Sequence, residues 1–410
     1  MSVFWIDGFE AQGAHLNLNL ARYYGNPGIS QNYTREGRYS GTSAFERSLE
    51  LRNTGFSCRM YEVPIPYSTL YWGMDFRSDP GKHSDILQMG YLINGGTEYF
   101  RSPVLVRSPD GGLLRYVRRS GLNFDAYLFG NAPVASPTSL LPDGSLMASW
   151  QRLELLWTDS HFRIYLAGEM VYEEAASGIN HYRAGIVNNR YGSLGHFYDN
   201  MVMATGLDVP LGDVRILTTY PGEDVDNTGW TLVTSYSGQP HLWQAVDEDQ
   251  TIAYNSWHDQ DVSHLKSDAG RIGFRLKPGP ILGNPLLCIN LGAVVRIVGP
   301  TMARFRLYVQ HPGGDRYYGA NITVLKAVEQ DIGRPGAYEM RRFDGQTYKI
   351  ITQLWNVNPR TGAPWTEAEL LTWIFGLEYD GGGEIRLTQM FLEKALILSG
   401  AGNFAIYRAR

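Results

Sequence analysis

Alternating apolar and polar residues mark the segment from 150 to 174 as a run of β-strands. Apolar side chains recur at every second position in two stretches, 153–157 and 162–166. That period of two predicts strands. The steps between them, Thr158–Ser160 and Ala167–Glu169, are short and polar or contain glycine, which is typical of turns between antiparallel strands. The segment is therefore predicted to form a three-stranded meander.

The same alternation recurs in short runs through the rest of the N-terminal half. Pro109–Gly112 favours a tight hairpin turn, and the Pro-, Ser- and Gly-rich segment 130–149 is predicted to be a long loop. Residues 42–63 have some helical spacing but alternate better as two strands. The further predicted strands are 4–10, 15–20, 69–78, 85–93, 103–108, 113–119 and 197–206.

The C-terminal half carries more predicted strands and one helix. The strands are predicted at 272–277, 288–299, 303–310, 320–328 and 384–396. Thr366, with Glu369 three residues later, forms a capping-box pattern, and Leu370, Leu371 and Ile374 give a short apolar face that Gly376 would end. We expect this short helix to plug one end of a β-sandwich.

Composition supports an all-β chain of two domains. The 410 residues are too many for one jelly roll, and 46 Gly and 20 Pro with 13% aromatic residues indicate many short strands and turns. The composition changes near 204–210, where Gly and Pro follow the last strand of the first half. We predict two β-sandwich (jelly-roll) domains, 1–207 and 208–410, with one short helix in the second.

Charge and cysteine content argue against several functional classes. The net charge is −5, and the one basic cluster, at 115–121, alternates with Tyr116 and Val117 in a hairpin arm, so nucleic-acid binding is not expected. Cys58 and Cys288 are predicted to be buried thiols. The sequence has no leader pattern and no uninterrupted apolar run long enough to span a membrane, so we expect a protein made without a signal peptide and without membrane insertion.

The order of motifs in the first half resembles that of concanavalin-A-like and laminin-G-like jelly rolls in bacteriophage structural proteins. The opening strand FWIDGFE (4–10) resembles the first strand of those domains, and Phe197-Tyr198-Asp199-Asn200 resembles their closing Tyr-Asp-Asp strand, with Asn at the last position. The segments 211–231 and 241–256 and the phrase Pro359 to Thr366 resemble stretches of phage tail and virion proteins.

This resemblance implies a structural protein of a tailed bacteriophage virion, exposed on the tail or a fibre. Carbohydrate recognition on the host surface is a further implication at the level of the family. Its expected place is the virion surface, after synthesis in the host cytoplasm. The sequence leaves open a capsid decoration protein that binds no sugar and, as a competing class, an enzyme that degrades surface polysaccharide.

Catalytic patterns are not found in the sequence. A jelly-roll glycosidase commonly carries two carboxylates on one strand face, but Glu-x-Asp-x-Glu is absent and the adjacent Glu173 and Glu174 point to opposite faces. There is no Gly-x-Ser-x-Gly elbow, no phosphate loop, and no metal-ligand spacing among the nine histidines. We therefore expect a protein that is not an enzyme and needs no cofactor.

Candidate ligand-binding residues are aromatic. Sugar rings could stack on Tyr71, Trp72, Tyr191, Trp243 and Trp257, although such residues more often belong to a sandwich core or a subunit interface.

Calcium is the one metal that the sequence suggests. Asp199 and Asn200 could supply oxygen ligands to this ion, with a structural turn as the alternative interpretation.

The sequence also favours assembly with other copies and other virion proteins. The C-terminal tail LSGAGNFAIYRAR carries Phe404, Ile406 and Tyr407 beyond a Gly-Ala-Gly break. An apolar tail left in solvent is unfavourable, so we expect it to add an edge strand to the second domain or to pack on a neighbouring subunit. The expected assembly is a homotrimer held through the second domain.

Overall fold

The computed structural model describes most strands of the chain. The described residues are 1–8, 31–36, 47–52, 56–62, 69–78, 84–93, 97–99, 104–107, 113–116, 138–141, 149–175, 181–189, 195–234, 241–246, 263–279, 281–325 and 348–398. They separate into two compact units, one that ends at Val214 and one from Arg215 to Leu398. Both are built from antiparallel β-sheets, so the all-β prediction is confirmed.

The first unit contains fifteen described strands. In chain order they are β1 (Ser2–Asp7), β2 (Gln31–Glu36), β3 (Arg47–Arg52), β4 (Phe56–Glu62), β5 (Leu70–Ser78), β6 (Ser84–Ile93), β7 (Thr97–Tyr99), β8 (Val104–Arg107), β9 (Leu113–Tyr116), β10 (Thr138–Leu141), β11 (Gln151–Trp157), β12 (His161–Leu166), β13 (Glu169–Ala175), β14 (His181–Asn189) and β15 (Gly195–Thr205).

These strands form two sheets. The first sheet has the order β13-β12-β11-β5-β15-β3-β2, with β1 paired to β15, and the second has the order β10-β9-β8-β6-β14-β4, with β7 paired to β6. The predicted meander is present as β11–β12–β13, with Leu155 opposite Ile164. The pairing of β1 with β15 joins the opening and closing strands. The first sheet therefore places β5 at its centre, between β11 and β15.

The second unit contains twelve described strands, one α-helix and one 3-10 helix. The strands are β16 (Val214–Thr219), β17 (Pro221–Thr228), β18 (Thr231–Thr234), β19 (Ser263–Ser267), β20 (Gly270–Leu276), β21 (Leu286–Ile297), β22 (Met302–Gln310), β23 (Arg316–Tyr318), β24 (Ile322–Leu325), β25 (Tyr348–Trp355), β26 (Ile374–Tyr379) and β27 (Ile385–Ile397). The 3-10 helix is Leu242–Ala245 and the α-helix, α1, is Glu367–Leu370.

The second unit is also a pair of sheets around an apolar core. The third sheet of the chain has the order β18-β19-β27-β21-β25 with β16 paired to β27, and the fourth has the order β17-β20-β26-β22-β23 with β24 paired to β22. Their facing side chains form one buried cluster, which includes Leu291 and Leu392 from the third sheet and Phe274, Leu307 and Phe375 from the fourth. The odd positions of β22 and β26 thus face the core, and the even positions of both strands face away from it.

The predicted capping box is present, but α1 is shorter than the apolar pattern suggested. Thr366 accepts a hydrogen bond from the Glu369 backbone, while the Glu369 carboxylate accepts one from the Thr366 backbone. Ile374, assigned to the helix from its spacing, instead starts β26, and Gly376 lies inside that strand. Leu370 and the flanking Trp365 and Trp373 join the core, so the helix covers apolar surface as expected.

Other sequence predictions have mixed outcomes. The segment 130–149 was predicted to be a loop, yet it contains β10, while β16–β19 and β25 had not been predicted as strands. The predicted strand 15–20, the turn at 109–112 and the C-terminal tail lie outside the described residues. Cys288 is fully buried, and burial raises the pKa of its thiol. Within the described ranges no helix is long and apolar enough to span a membrane.

Candidate functional site

Two of the predicted sugar-stacking residues lie in the core of the first unit. Tyr71 and Trp72 have no exposed surface. They are consecutive in β5, and this central strand is buried on both faces, so neither ring has a face available to a ligand. Tyr191 and Trp257 lie outside the described residues. Of the predicted aromatic set, the structure leaves Trp243 at a surface.

The hydroxyl of Tyr71 belongs to a buried polar cluster on one face of β5 and β11. It donates a hydrogen bond to Glu154 Oε1 (2.7 Å), which also accepts the Gly212 backbone N–H (2.9 Å). Burial raises the pKa of Glu154 despite the nearby charge of Arg152, and burial also raises the pKa of Tyr71. Because Glu154 and Tyr71 are fully enclosed, this cluster ties the segment that leads to Gly212 onto the sheet and offers no open site.

Asp199 and Asn200, the predicted calcium ligands, are buried in the same region. Asn200 Nδ2 donates to Asp75 Oδ2 (2.8 Å), and the Asn200 backbone oxygen accepts from Arg152 Nη1 (2.8 Å). Arg152 Nη1 also lies 3.5 Å from Asp75 Oδ1. The Arg152 guanidinium therefore supplies positive charge next to the Asp75 carboxylate and the Asn200 backbone oxygen. Among the described residues, no group of three or more His, Cys, Asp or Glu side chains is placed to hold a metal ion.

Trp243 is half-buried in the 3-10 helix of the second unit. The backbone N–H groups of Leu242 and Trp243 both donate to the carboxylate of Asp224, at 2.9 and 2.7 Å. The indole stacks with the His241 ring at 6.1 Å between centroids, and Lys277 Nζ lies 5.2 Å from its centroid. Other side chains thus already contact the aromatic face of Trp243.

A larger polar surface lies on the fourth sheet, on the face turned away from the core. It brings together two tyrosines, three arginines and two carboxylates from five strands. We call it the tyrosine–arginine platform, and its members are Asp226, Arg271, Arg306, Tyr308, Arg316, Tyr318 and Glu378. The strand register assembles it, because Glu378 lies opposite both Arg271 and Arg306, and Tyr308 lies opposite Tyr318.

Tyr308 is the buried centre of the platform. A Cβ atom on Gly273 would lie 2.5 Å from Tyr308 Oη, and one on Gly376 would overlap the ring carbon Cζ, so the phenol ring lies across both glycines. Its hydroxyl donates to the Ile272 backbone oxygen (3.0 Å) and lies 3.3 Å from Asp226 Oδ2. Burial raises the pKa of Tyr308, so it stays protonated. The two glycines let the ring pack flat against the sheet.

Asp226 anchors one half of the platform. Its Oδ2 accepts hydrogen bonds from Arg271 Nε (2.6 Å) and Arg316 Nη2 (2.8 Å). Burial alone would raise the pKa of Asp226, but the hydrogen bond and charge of Arg271, together with the charge of Arg316, outweigh it and lower the pKa. The carboxylate is therefore ionised at neutral pH and holds two guanidinium groups in place.

Glu378 anchors the other half in the same way. Its carboxylate accepts from Arg306 through Oε1 and from the Tyr318 hydroxyl through Oε2 (2.7 Å). Burial opposes ionisation, but these hydrogen bonds and the Arg306 charge lower the pKa of Glu378. The Arg306 guanidinium lies 4.5 Å from the centroid of the Tyr318 ring, and Tyr318 remains 39% exposed. The platform thus presents a fixed, partly exposed tyrosine whose ring has Arg306 over one face.

The two carboxylates of the platform differ from the pair that glycosidic cleavage uses. Glycosidic cleavage needs one carboxyl group with a raised pKa to act as an acid, whereas the pKa values of Asp226 and Glu378 are both lowered. A rigid ring beside partly exposed guanidinium groups is suited to hold a polar ligand. These residues could not be recognised as a site in the sequence, because charged side chains on alternating strand positions are typical of an ordinary solvated face.

Comparisons with known proteins identify no family. No protein-family profile matches the chain, and no curated protein matches it either. Among solved structures, it resembles the cellulose-induced protein Cip1 at 14% identity and a TM-score of 0.31, over 50% of this chain and 98% of that one. A tandem CBM22 domain of Paenibacillus barcinonensis Xyn10C matches at 10% identity and a TM-score of 0.27, over 95% and 97%.

A sialidase matches at 12% identity and a TM-score of 0.27, over 39% of this chain and only 15% of the sialidase. At such TM-scores, these likenesses assign neither a family nor an activity. The structure itself consists of antiparallel β-sheets that are consistent with β-sandwich domains.

Proposed function

We propose that this chain is a non-enzymatic structural protein of a tailed bacteriophage particle that binds carbohydrate through the tyrosine–arginine platform. The observation that carries the sugar-binding part is the arrangement of Tyr318, a residue that is 39% exposed while its hydroxyl is fixed by Glu378. A pyranose has an apolar face that packs on such a ring and hydroxyl groups that hydrogen-bond beside it.

The platform is organised before any ligand arrives. Arg306 lies against the Tyr318 ring, Arg316 lies 5.6 Å from the Tyr308 ring centroid, and the two carboxylates hold the guanidinium groups by hydrogen bonds. Side chains that are already ordered lose little conformational entropy when a ligand binds, so less of the contact energy is lost to ordering. This favours recognition of a polar ligand at a shallow surface.

A binding role is also supported by the states of the carboxyl groups. Glu154 has the raised pKa that a general acid needs, but it is enclosed in the first unit. Asp226 and Glu378 are accessible in part, yet both are ion-paired and ionised. Of these three carboxyl groups, the one with a raised pKa is thus closed to substrate, and the two that are partly accessible have lowered pKa values.

The phage part of the proposal rests on sequence resemblance, above all in 211–231 and 359–366. Mass spectrometry of purified particles tests it, and the number of copies per particle would separate a head location from a tail location. Decoration proteins of a head occur in hundreds of copies, whereas tail tips carry a few to a few dozen. Absence of the chain from washed, intact particles would refute this part.

The sugar-binding part is tested with two variants of one residue. Tyr318→Ala removes the exposed ring, and we expect it to weaken glycan affinity roughly fivefold, because a stacked ring contributes on the order of 1 kcal/mol. Tyr318→Phe keeps the ring and loses only the hydroxyl that Glu378 accepts, so its affinity should stay closer to that of the unmodified chain. Isothermal titration against host-surface oligosaccharides measures both.

The control is Tyr165→Ala, which removes a half-buried tyrosine from β12 in the first unit. It should leave affinity unchanged. If Tyr318→Ala binds every glycan as tightly as the unmodified chain does, the platform is not the sugar site.

A further inference from the structure

We infer that the platform selects acidic glycans, in which the sugar rings carry carboxylate groups. This inference rests on the proposed function, since it names the class of sugar that the same site would take. It follows from the balance of hydrogen-bond donors and acceptors that the platform presents.

Every carboxylate oxygen of the platform already accepts from a protein donor. Asp226 Oδ2 accepts from Arg271 and Arg316, and Oδ1 accepts from Arg271 Nη2 at 3.4 Å. Glu378 accepts from Arg306 through one oxygen and from Tyr318 through the other. A ligand hydroxyl that needs to donate a hydrogen bond thus finds these carboxylates occupied by protein donors.

The donors are in surplus. The hydrogen bonds of the three arginines run through Nε and Nη2, and Nη1 of Arg271, Arg306 and Arg316 donates to no residue in the described part of the chain. Each Nη1 carries two N–H groups. The three side chains are 26%, 35% and 27% exposed, so water or a ligand reaches them. These seven residues carry three arginines and two carboxylates, and a third carboxylate, Asp380, lies 4.0 Å from Arg306 Nη2.

This surplus decides between sugar classes. A hydroxyl group both donates and accepts, so a site that reads neutral sugars through their hydroxyls needs acceptors as well as donors. An ionised carboxylate only accepts, and its two oxygens match the planar guanidinium fork. A glycan with carboxylates close to the Tyr318 ring therefore satisfies the Nη1 groups that donate to no described residue.

The test compares oligosaccharides that differ only in charge. The full chain is titrated with a panel of uronic-acid oligosaccharides and with their carboxyl-reduced, neutral counterparts. We expect the acidic forms to bind at least about tenfold more tightly, because hydrogen bonds to charged groups contribute more than neutral ones. The advantage should shrink between about 50 mM and about 500 mM salt, because ions screen the exposed arginines.

Arg316→Gln should remove most of that advantage. Asp226 keeps Arg271 and Tyr308 in this variant, so the carboxylate is not left unpaired, and an unchanged melting temperature would confirm the fold. Arg163→Gln is the matched control, because it makes the same change at an exposed ion pair with Glu173 in the first unit. It should preserve the preference for acidic forms.

Equal affinity for acidic and reduced forms would overturn the inference. If Tyr318→Ala still weakened both, the sugar-binding proposal would stand without acid selectivity. A preference for the acidic forms that persisted in Arg316→Gln would also overturn the assignment to the platform. Binding of neither form of any pair would refute the sugar-binding proposal itself, and the inference with it.

Discussion

Gly273→Ala should destabilise the second unit by displacing the ring of Tyr308. The new Cβ would lie 2.5 Å from Tyr308 Oη and 2.8 Å from Ile374 Cγ2, so the phenol must move by about 1 Å. Overpacking of this kind costs about 1–3 kcal/mol, and the displaced hydroxyl would also weaken its hydrogen bond to the Ile272 backbone. We therefore expect the free energy of unfolding to fall by roughly 2 kcal/mol.

A double-mutant cycle isolates the clash. Tyr308→Phe alone should lower the free energy of unfolding by about 1 kcal/mol, because it removes the hydroxyl group and its hydrogen bond. In that background the nearest ring atom lies 3.4 Å from the new Cβ and only the contact with Ile374 Cγ2 at 2.8 Å remains, so Gly273→Ala should lower the free energy of unfolding by less than it does in the unmodified chain. The coupling energy between the two substitutions is expected to be on the order of 1 kcal/mol.

Urea unfolding of the full chain, followed by tryptophan fluorescence, measures these differences. Gly279→Ala is the control, because a Cβ there meets no atom within 4 Å. If Gly273→Ala were as mild as Gly279→Ala, or if its cost were unchanged by Tyr308→Phe, the ring would not lie across the glycine and the account of a preorganised platform would fail.

The remaining predictions concern an acid titration, a buried acceptor and a helix cap. The pKa of Asp226 is lower in the folded chain than in the unfolded chain, so the ionised carboxylate stabilises the fold at pH values above its ordinary pKa. This stabilisation is lost as the pH falls through the pKa that Asp226 has in the folded chain. Urea titrations between about pH 5 and about pH 2 should show that Asp226→Asn flattens this loss, and an unchanged slope would contradict it. Glu154→Ala should lower the free energy of unfolding by roughly 2 kcal/mol, because the Tyr71 hydroxyl loses its buried acceptor. Glu154→Gln keeps an acceptor and should lower it less, so equal melting temperatures for the two variants would refute this. Thr366→Ala should cost about 1 kcal/mol by removing the cap that pairs with Glu369, and unaltered urea stability would show that the cap is dispensable.

Local patterns in the sequence were enough to predict some of the strands whose two faces differ. In β12 the burial alternates at every position, so Phe162, Ile164 and Leu166 are recognisable from their spacing. The capping box at Thr366 is equally local, since its two partners are three residues apart. Such features depend on residues that are close together in the chain, so they can be predicted from the local sequence.

The boundary of α1 could not be predicted from spacing. Ile374 continues the apolar period of a helix, but it pairs with Gln310 in β22, and its strand lies between β20 and β22. Gly376, a helix-ending residue by type, instead provides room for the Tyr308 ring. Both roles depend on strands far away in the sequence.

The candidate site shows the same limit. Tyr71 and Trp72 were candidates for stacking on a sugar ring, but β5 is central to its sheet and both side chains are buried. The platform joins Asp226 with Arg316, 90 positions apart. No spacing rule links them, because the strand order β17-β20-β26-β22-β23 brings them together only after the sheet has formed.

The central claim is that the platform binds a glycan without cleaving it. The most direct measurement incubates the full chain with host-surface polysaccharide and records retained glycan and newly released reducing ends in the same mixture. The account predicts saturable retention that Tyr318→Ala weakens, with no reducing ends released. Sustained release of reducing ends at catalytic protein concentrations, or retention that is indifferent to Tyr318→Ala, would contradict it.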